Sequence, residues 1–407
     1  MNSNGWKAVT LGDVINLKRG YDLRTSARKP GDIPVVSSSG VTGSHNEAKV
    51  QAPGVVTGRY GTLGEIYFLA EDFWPLNTTL YVEDFKGNDP KFVYYFLQTL
   101  ELEHYNDKSS VPGINRNHVH TLEVTVPPLS EQRGIAGVLS RFDEKIELNR
   151  QMNETLEAMA RAIFKSWFVD FDPVHAKARG EAPAGMDDAI AELFPEGFVE
   201  WELGPIPEGW EPVKMKALVS LDHNRLTPQD HAEEIFDYFS IPAYKESGMP
   251  EVEVGAEIKS SKYLVPEGCV LLSRLNPRFP RVWLPVLQGE HRAICSTEFL
   301  IAMPKAGISR EYLYTLFNMD NFRLRFENLV TGTSGSHQRV KQGSFLNMRV
   351  VKPPKPVVEA FTHIAQPIYE KIAKNQFESH TLAELRDTLL PKLISGELRV
   401  PEQIRQD

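Results

Sequence analysis

The strongest constraint on this chain is that it is written twice. The opening Trp6-Lys7-Ala8-Val9-Thr10-Leu11 returns as Trp210-Glu211-Pro212-Val213-Lys214-Met215, an offset of 204 residues. Val126-Pro127-Pro128 is matched by Lys352-Pro353-Pro354, and Glu144-Lys145-Ile146-Glu147-Leu148-Asn149 by Glu370-Lys371-Ile372-Ala373-Lys374-Asn375, both at an offset of 226. An offset that grows along the chain means one unit repeated, with longer loops in the second copy. Each copy runs from a tryptophan through strand-like segments to a Pro-Pro pair and then a long helix.

The long helices carry the clearest periodicity. Steps of four and three from Ile135 reach Leu139, Phe142, Ile146, Asn149, Asn153, Leu156, Ala160, Ile163 and Trp167. The same frame in the second copy gives Phe361, Ala365, Ile368, Ile372, Asn375, Ser379, Leu382, Arg386, Leu389 and Leu393. Alternating 4-3 spacing of this length marks a coiled-coil seam rather than an ordinary surface helix. The polar interruptions match, Asn149 and Asn153 with Asn375 and Ser379, so the two seams are expected to pair with each other, the amides fixing register. The expected pairing residues are Ile135, Leu139, Phe142, Ile146, Asn149, Leu156 and Ile163 with Ile368, Ile372, Asn375, Leu382 and Leu389.

Between the ends of each copy, Gly54–Gly58, Ile66–Leu69 and Thr79–Val82 are short, β-branched or aromatic, and bounded by turn residues, so they read as strands. Phe92–Leu97 begins a helix, matched by Tyr312–Phe317, and Leu122–Val126 is a last strand. Val270–Leu272 and Phe299–Ala302 are their counterparts among the second copy's strands. The fold class is α+β, two similar α+β domains joined by long helices. The expected divisions are 1–128, a helix over 129–172, an acidic linker over 173–204, a second domain over 205–354, a helix over 355–398 and a tail over 399–407.

Charge is local. The formal net charge is -9, but 170–202 holds nine acidic residues against Lys177 and Arg179, while 274–349 holds eleven basic against five acidic. An acidic average therefore does not exclude a phosphate partner, because binding depends on a local patch. Two cysteines, Cys269 and Cys295, are too few for a disulfide framework or a four-ligand zinc site. With no signal-like start and no long apolar run, a cytoplasmic protein without a membrane partner is expected.

No catalytic constellation emerges. There is no Gly-Lys dipeptide for a phosphate loop. Gly58-Arg59-Tyr60-Gly61-Thr62-Leu63-Gly64 lacks dinucleotide spacing and reads as a strand-to-strand turn. Asn276-Pro277-Arg278-Phe279 resembles the Asn-Pro-Pro-aromatic loop of amino-methyltransferases, but Arg replaces the second proline. Glu257-Ile258-Lys259 with Asp237 is a weak echo of a nuclease cluster. His118-Val119-His120 has no third ligand nearby. No catalytic, cofactor-binding or metal residue is assigned.

What remains is a recognition design. The loops Ser37-Ser38-Ser39-Gly40, Arg59-Tyr60, Lys108-Ser109-Ser110 and Asn115-Arg116 in the first copy are polar or basic. So are Arg274-Leu275-Asn276-Pro277-Arg278 and Thr333-Ser334-Gly335-Ser336-His337-Gln338-Arg339 in the second. Arg and Lys pair with guanine edges, Asn and Gln with adenine, Ser and Thr with base or phosphate. The candidate nucleic-acid contacts are Ser38, Arg59, Tyr60, Lys108, Arg116, Arg274, Asn276, Arg278, Ser336, His337, Arg339 and Lys341. From the residues alone this is a two-site binding protein, and a duplicated protein-binding scaffold without DNA specificity is the alternative.

Three segments carry a resemblance to the DNA-specificity subunit of type I restriction–modification systems: Pro127-Pro128-Leu129-Ser130-Glu131-Gln132-Arg133-Gly134-Ile135-Ala136, Phe164-Lys165-Ser166-Trp167-Phe168-Val169-Asp170-Phe171-Asp172-Pro173-Val174, and Leu389-Leu390-Pro391-Lys392-Leu393-Ile394-Ser395-Gly396-Glu397-Leu398. The second copy departs from the first motif, with Pro353-Pro354-Lys355-Pro356-Val357-Val358 lacking the Glu-Gln. The resemblance implies two target-recognition domains, each reading one half of a split double-stranded DNA site, and an antiparallel helix pair as spacer. It implies docking of two methyltransferase (modification) subunits and, through them, restriction-translocation subunits. S-adenosylmethionine, ATP and magnesium would belong to those partners, and this chain would be non-catalytic and bind no cofactor.

Overall fold

The computed structural model describes residues 5–105, 113–202, 204–331 and 338–401. They fold as two units, Met1–Glu147 with Thr381–Asp407, and Leu148–His380. In the first unit, β1 (Lys7–Thr10) pairs antiparallel with the last strand of the copy, β9 (Glu123–Val126), Lys7 opposite Val126. Between them β2 (Asn16–Arg19), β5 (Gly54–Gly58), β6 (Ile66–Leu69) and β8 (Thr79–Asp84) form a sheet ordered β2-β8-β5-β6. A second sheet, ordered β4-β3-β7, joins β3 (Ile33–Ser37), β4 (Gly40–His45) and β7 (Trp74–Pro75). Helix α1 (Pro90–Gln98) begins where Asp89 accepts the Phe92 amide at 2.9 Å, with Pro90 pre-set for the first turn. Helix α2 is the short Arg116–His120.

The second unit repeats this plan. β10 (Glu211–Lys214) pairs with its own last strand (Arg349–Lys352), as β1 does with β9. β11 (Val219–Asp222), β14 (Val270–Ser273), β15 (Val282–Trp283) and β17 (Phe299–Pro304) form a sheet ordered β11-β17-β14-β15. β12 (Ile235–Phe239) lies between β13 (Glu251–Val254) and, in parallel, β16 (Arg292–Cys295), as β3 lies between β4 and β7. The added length of this copy is partly visible here. β3 and β4 are joined by Ser38-Ser39 alone, whereas 240–250 separate β12 from β13 and carry an extra helix over Ile241–Glu246. Tyr244 of that helix sets its ring 5.2 Å from Trp283.

The long helices are α3 (Leu129–Phe168) and the C-terminal Lys355–Ser395. Contacts inside each unit show that they run antiparallel. In the second unit Phe164 meets Phe361 at 5.4 Å between ring centroids, and Asn153 donates to the Ile372 carbonyl at 3.3 Å. Asn149 donates to the carbonyl of Asn375 at 3.4 Å and to Ser379 Oγ at 3.3 Å, and Asn375 donates to Asn153 Oδ1 at 2.8 Å. The last two bonds are related by the offset of 226, so a local two-fold axis passes between Asn149 and Asn375, both wholly buried. In the first unit Ile135, Ala136 and Leu139 share a core with Leu390, Leu393 and Ile394, and Asp143 takes Arg386 Nη1 at 2.6 Å. Of the expected pairing residues, Ile135, Leu139, Asn149 and Asn375 are buried; Phe142, Ile146, Leu156, Ile163, Ile368, Ile372, Leu382 and Leu389 are half-buried.

Each domain is riveted to its long helix at corresponding places by different groups. Tyr95 Oη donates to Asp143, and burial together with that carboxylate holds the phenol far above its ordinary pKa. The equivalent pair in the second unit is Thr315 and Tyr369, oxygen to oxygen at 2.7 Å. The Glu-Gln of the first helix start is likewise spent inside the fold. Buried Glu131 accepts the Trp6 indole N–H at 3.1 Å and both Nε and Nη2 of Arg399, whose guanidinium also lies 5.4 Å from the Trp6 ring. Gln132 donates to Asn88 and to the Pro127 carbonyl, and accepts the Asp89 amide. In the second copy Val357 and Val358 occupy these positions, fully buried, while Trp210 packs on Phe168 and Phe171. An ionic clamp in one copy is an apolar one in the other.

The acidic stretch is more than a linker. Asp172–Ala178 forms a helix, Val174 and Phe194 are buried, and Phe194 sits edge-on to Trp167 at 5.4 Å. Lys177 reaches back to the Phe194 carbonyl at 2.6 Å.

Removing the Glu131 carboxylate leaves Arg399 and the Trp6 indole without it. Glu131→Ala is expected to cost about 2–3 kcal/mol and to lower the melting temperature by roughly 5 °C or more. Glu131→Gln, which keeps an acceptor for the indole, should lose less in the same thermal unfolding measurement.

Candidate nucleic-acid interface

In the first unit the turn from β5 to β6 is gripped from two sides. Arg59 and Tyr60 donate their amides to the Thr78 carbonyl at 2.8 and 3.1 Å, and the Arg59 carbonyl accepts the Ile114 amide at 3.0 Å. Tyr60 bridges to Gly113, where a Cβ would lie 2.2 Å from the tyrosine ring, so a side chain there would displace the ring. Asn115 accepts the Asn117 amide at 3.0 Å and so caps α2, which leaves Arg116 exposed on its first turn. The result is a cleft of about 490 Å³ lined by Lys18, Arg19, Arg59, Tyr60, Arg116 and Asn117. Arg59 lies over the Tyr60 ring at 4.5 Å. Lys18 pairs with Glu83 at 2.5 Å, and that bond raises its pKa. Ser38 sits beside the same turn, its Oγ 3.2 Å from where a Cβ on Gly61 would be, its carbonyl accepting Tyr67 Oη.

The second unit builds the same junction. Arg274 donates its amide to the Glu298 carbonyl at 2.9 Å, and its carbonyl accepts the Val340 amide at 3.0 Å, the counterparts of the Arg59 bonds. Leu275 bridges to Arg339, and the Asn276 amide donates to the Gln338 carbonyl at 2.9 Å. Asn276 takes a left-handed conformation (φ 47°), which asparagine tolerates better than most side chains. Beyond it, Arg278 lies over the half-exposed Phe279 ring at 4.5 Å, a second arginine–aromatic pair in the equivalent loop. Such a pair presents a flat cationic face to stacked bases and phosphates. Lys341 is exposed at the start of the short helix Gln342–Asn347.

The structure thus gathers Arg59, Tyr60 and Arg116 into one cleft with Ser38 alongside, and Arg274, Asn276, Arg278, Arg339 and Lys341 around the corresponding loop. Lys108, Ser336 and His337 lie outside the described residues. Arg274 and Arg339 both face the carboxylate of Glu298. Sequence reasoning missed Lys18, Arg19, Asn117 and Glu298. The signal for Glu298 was available: aligning the copies at Thr79 and Phe299 places it opposite Thr78.

Other chemistry-bearing residues have structural partners. His120 Nε2 accepts the Leu17 amide at 2.9 Å, and burial lowers its pKa. Asp237 faces His291 Nδ1 at 3.0 Å rather than Lys259. Cys269 is buried, which pushes its thiol up to about 12 and leaves it unreactive at neutral pH. No cluster of three or more metal-ligating side chains occurs among the described residues. No helix among them is long and apolar enough to cross a membrane.

The fold has known counterparts. Residues 3–158 match the family model of the type I restriction modification DNA specificity domain. The specificity subunit of the type I restriction enzyme MjaIX, from Methanocaldococcus jannaschii, is 26% identical over 329 residues, 77% of this chain and 70% of that one. The HindI specificity subunit of Haemophilus influenzae is 28% identical over 365 residues, 76% of this chain and 77% of that one. The solved S subunit of a type I restriction-modification system from M. genitalium shares the fold, with a TM-score of 0.61 at 16% identity over 97% of each chain. The first copy thus matches a type I restriction modification DNA specificity domain, and the chain is similar over three-quarters of its length to specificity subunits of type I restriction enzymes.

Proposed function

We propose that this chain reads a bipartite, asymmetric DNA site, one half through the Arg59–Arg116 cleft and the other through the Arg274–Arg339 loop pair. The observation that carries this is the repeated junction: the same backbone bonds position an arginine and an arginine–aromatic pair in both copies. The helix pair sets the gap between half-sites and docks two methyltransferase subunits, which carry the restriction-translocation subunits. S-adenosylmethionine, ATP and magnesium are then held by those partners, and the chain itself supplies specificity without catalysis. Arg59, Arg116, Arg278 and Lys341 meet bases or phosphates; Ser38, Tyr60 and Asn276 add hydrogen bonds and stacking.

Exchanging 7–126 for the corresponding segment of a relative, while keeping Trp6 on Glu131, should change one half of the methylated motif and leave the other. Mapping methylated bases in cells carrying the hybrid reads this directly, and a change in both halves would contradict two independent readers. Within the first half, Arg59→Ala should cost about 1–3 kcal/mol of discrimination at one base pair if the side chain reads a base. If it holds a phosphate, all sequences weaken alike and the salt slope falls by about one. Salt-insensitive association with every duplex would instead favour a protein scaffold.

The seam predicts how spacing can be changed. Because the helices are antiparallel about Asn149 and Asn375, an insertion in one alone breaks the reciprocal amide bonds. Seven residues added after Gln151 and seven after Phe377 lie at the same level of the pair and keep the 4-3 frame. They lengthen it by about 10 Å, close to three base pairs at about 3.4 Å each. The methylated motif of an active double-insertion variant should show its gap widened by roughly that amount; an unchanged gap overturns the spacer role.

A further inference from the structure

The loop pair of the second unit carries a carboxylate, Glu298, where the first has a threonine. Glu298 stands immediately before β17, where Thr78 stands before β8, and each gives its carbonyl to the arginine that opens the neighbouring loop. In the first cleft the threonine brings no charge, and Arg59 rests on the Tyr60 ring. In the second, both Glu298 oxygens are taken by Arg339. Its Nε donates at 3.1 Å to Oε1 and 2.9 Å to Oε2, and its Nη2 donates at 2.8 Å to Oε1. Arg274 Nε lies 3.6 Å from Oε2, an ion-pair separation too long for a hydrogen bond. The Glu298 side chain is only 19% exposed, whereas Arg339 keeps 45%.

We propose that Glu298 is a positioning residue for base reading: it fixes Arg339 so that the outward edge of the guanidinium meets a guanine in the half-site of the second unit. The inference rests on reading this cleft as a DNA-reading surface. The chemistry follows from which edge is used. A guanidinium has five donors in a planar fork, and the carboxylate occupies the Nε–Nη2 side. Nη1 makes no hydrogen bond to a described residue, so the Nη1–Nη2 end remains to pair with the two acceptors, O6 and N7, that guanine shows in the major groove. Both Glu298 oxygens accept from Arg339, so the carboxylate is committed first to holding the guanidinium. A long arginine ordinarily loses rotamer freedom on reaching a base; held beforehand, it loses less. Opposite charges also keep Arg274 and Arg339 from repelling each other across the cleft.

The test is the methylated motif of cells whose chromosomal copy of this gene carries Glu298→Gln, Glu298→Asp or Arg339→Ala, with the amount of soluble chain measured alongside. Arg339→Ala should relax one position of one half-site, a guanine preference falling by tenfold or more. Glu298→Gln should relax that same position, and Glu298→Asp should restore it. If Arg339→Ala relaxes the position while Glu298→Gln leaves the motif unchanged, the positioning role is overturned and the reading surface stands. If neither variant alters the motif at normal chain levels, the assignment of this cleft to base reading fails as well. An even loss of methylation at every site, with the motif intact, marks a structural or phosphate-holding carboxylate and also overturns the proposal.

Discussion

The buried amides of Asn149 and Asn375 are the point on which the helix pairing turns. A helix with a 4-3 apolar stripe has no stable place to put that stripe unless a second stripe meets it. Here the second stripe is supplied by the other copy of the same unit, and the amides choose one register among those the leucines and isoleucines would accept. An apolar seam slides by a heptad at small cost, because each hydrophobic knob finds a similar hole. A buried amide does not, since a slip leaves its donors in an apolar interior. The reciprocal bonds from Asn149 to Ser379 and from Asn375 to Asn153 therefore define the register in which the two helices pair.

Away from the seam the copies have kept geometry and changed chemistry. Tyr95 with Asp143 becomes Thr315 with Tyr369. Trp6 on an ionic clamp of Glu131 and Arg399 becomes Trp210 among Phe168, Phe171 and buried valines. In each case a contact between the domain and its long helix is preserved by a different pair, as expected when the constraint is the position of the joint rather than the identity of the groups. The Glu-Gln missing from the second helix start is explained in these terms. It is a fold-internal feature of one copy, replaced by Val357 and Val358 in the other.

The loops that carry these arginines have diverged more freely, within a fixed backbone frame. The amide and carbonyl of Arg59 and of Arg274 make matching bonds to matching neighbours, so the loops leave each sheet in the same direction. Beyond that frame the copies differ in their side chains: an arginine on a tyrosine ring in one, a carboxylate facing two arginines in the other. A frame with variable contents suits two readers of unlike half-sites.

The sequence by itself determined the duplication, four strands of the first copy and two of the second, the helices that carry Phe92 and Tyr312, and the seam. These depend on local period and composition: β-branched runs such as Gly54–Gly58, the Asp89-Pro90 helix start, and a stripe whose polar breaks recur after 226 residues. It also named most of the arginines in the two clefts. It did not show that Lys18 and Arg19, far from Arg59 and Arg116 in the chain, line the same cleft. Nor did it show that Glu298 faces Arg274 and Arg339, or that Glu131 turns inward to Trp6 and Arg399. Those facts depend on strand order and on which side of a turn a side chain leaves. A charged residue reads the same in sequence whether it faces solvent, a phosphate or another charge; only the folded chain, by bringing partners together and excluding water between them, decides which.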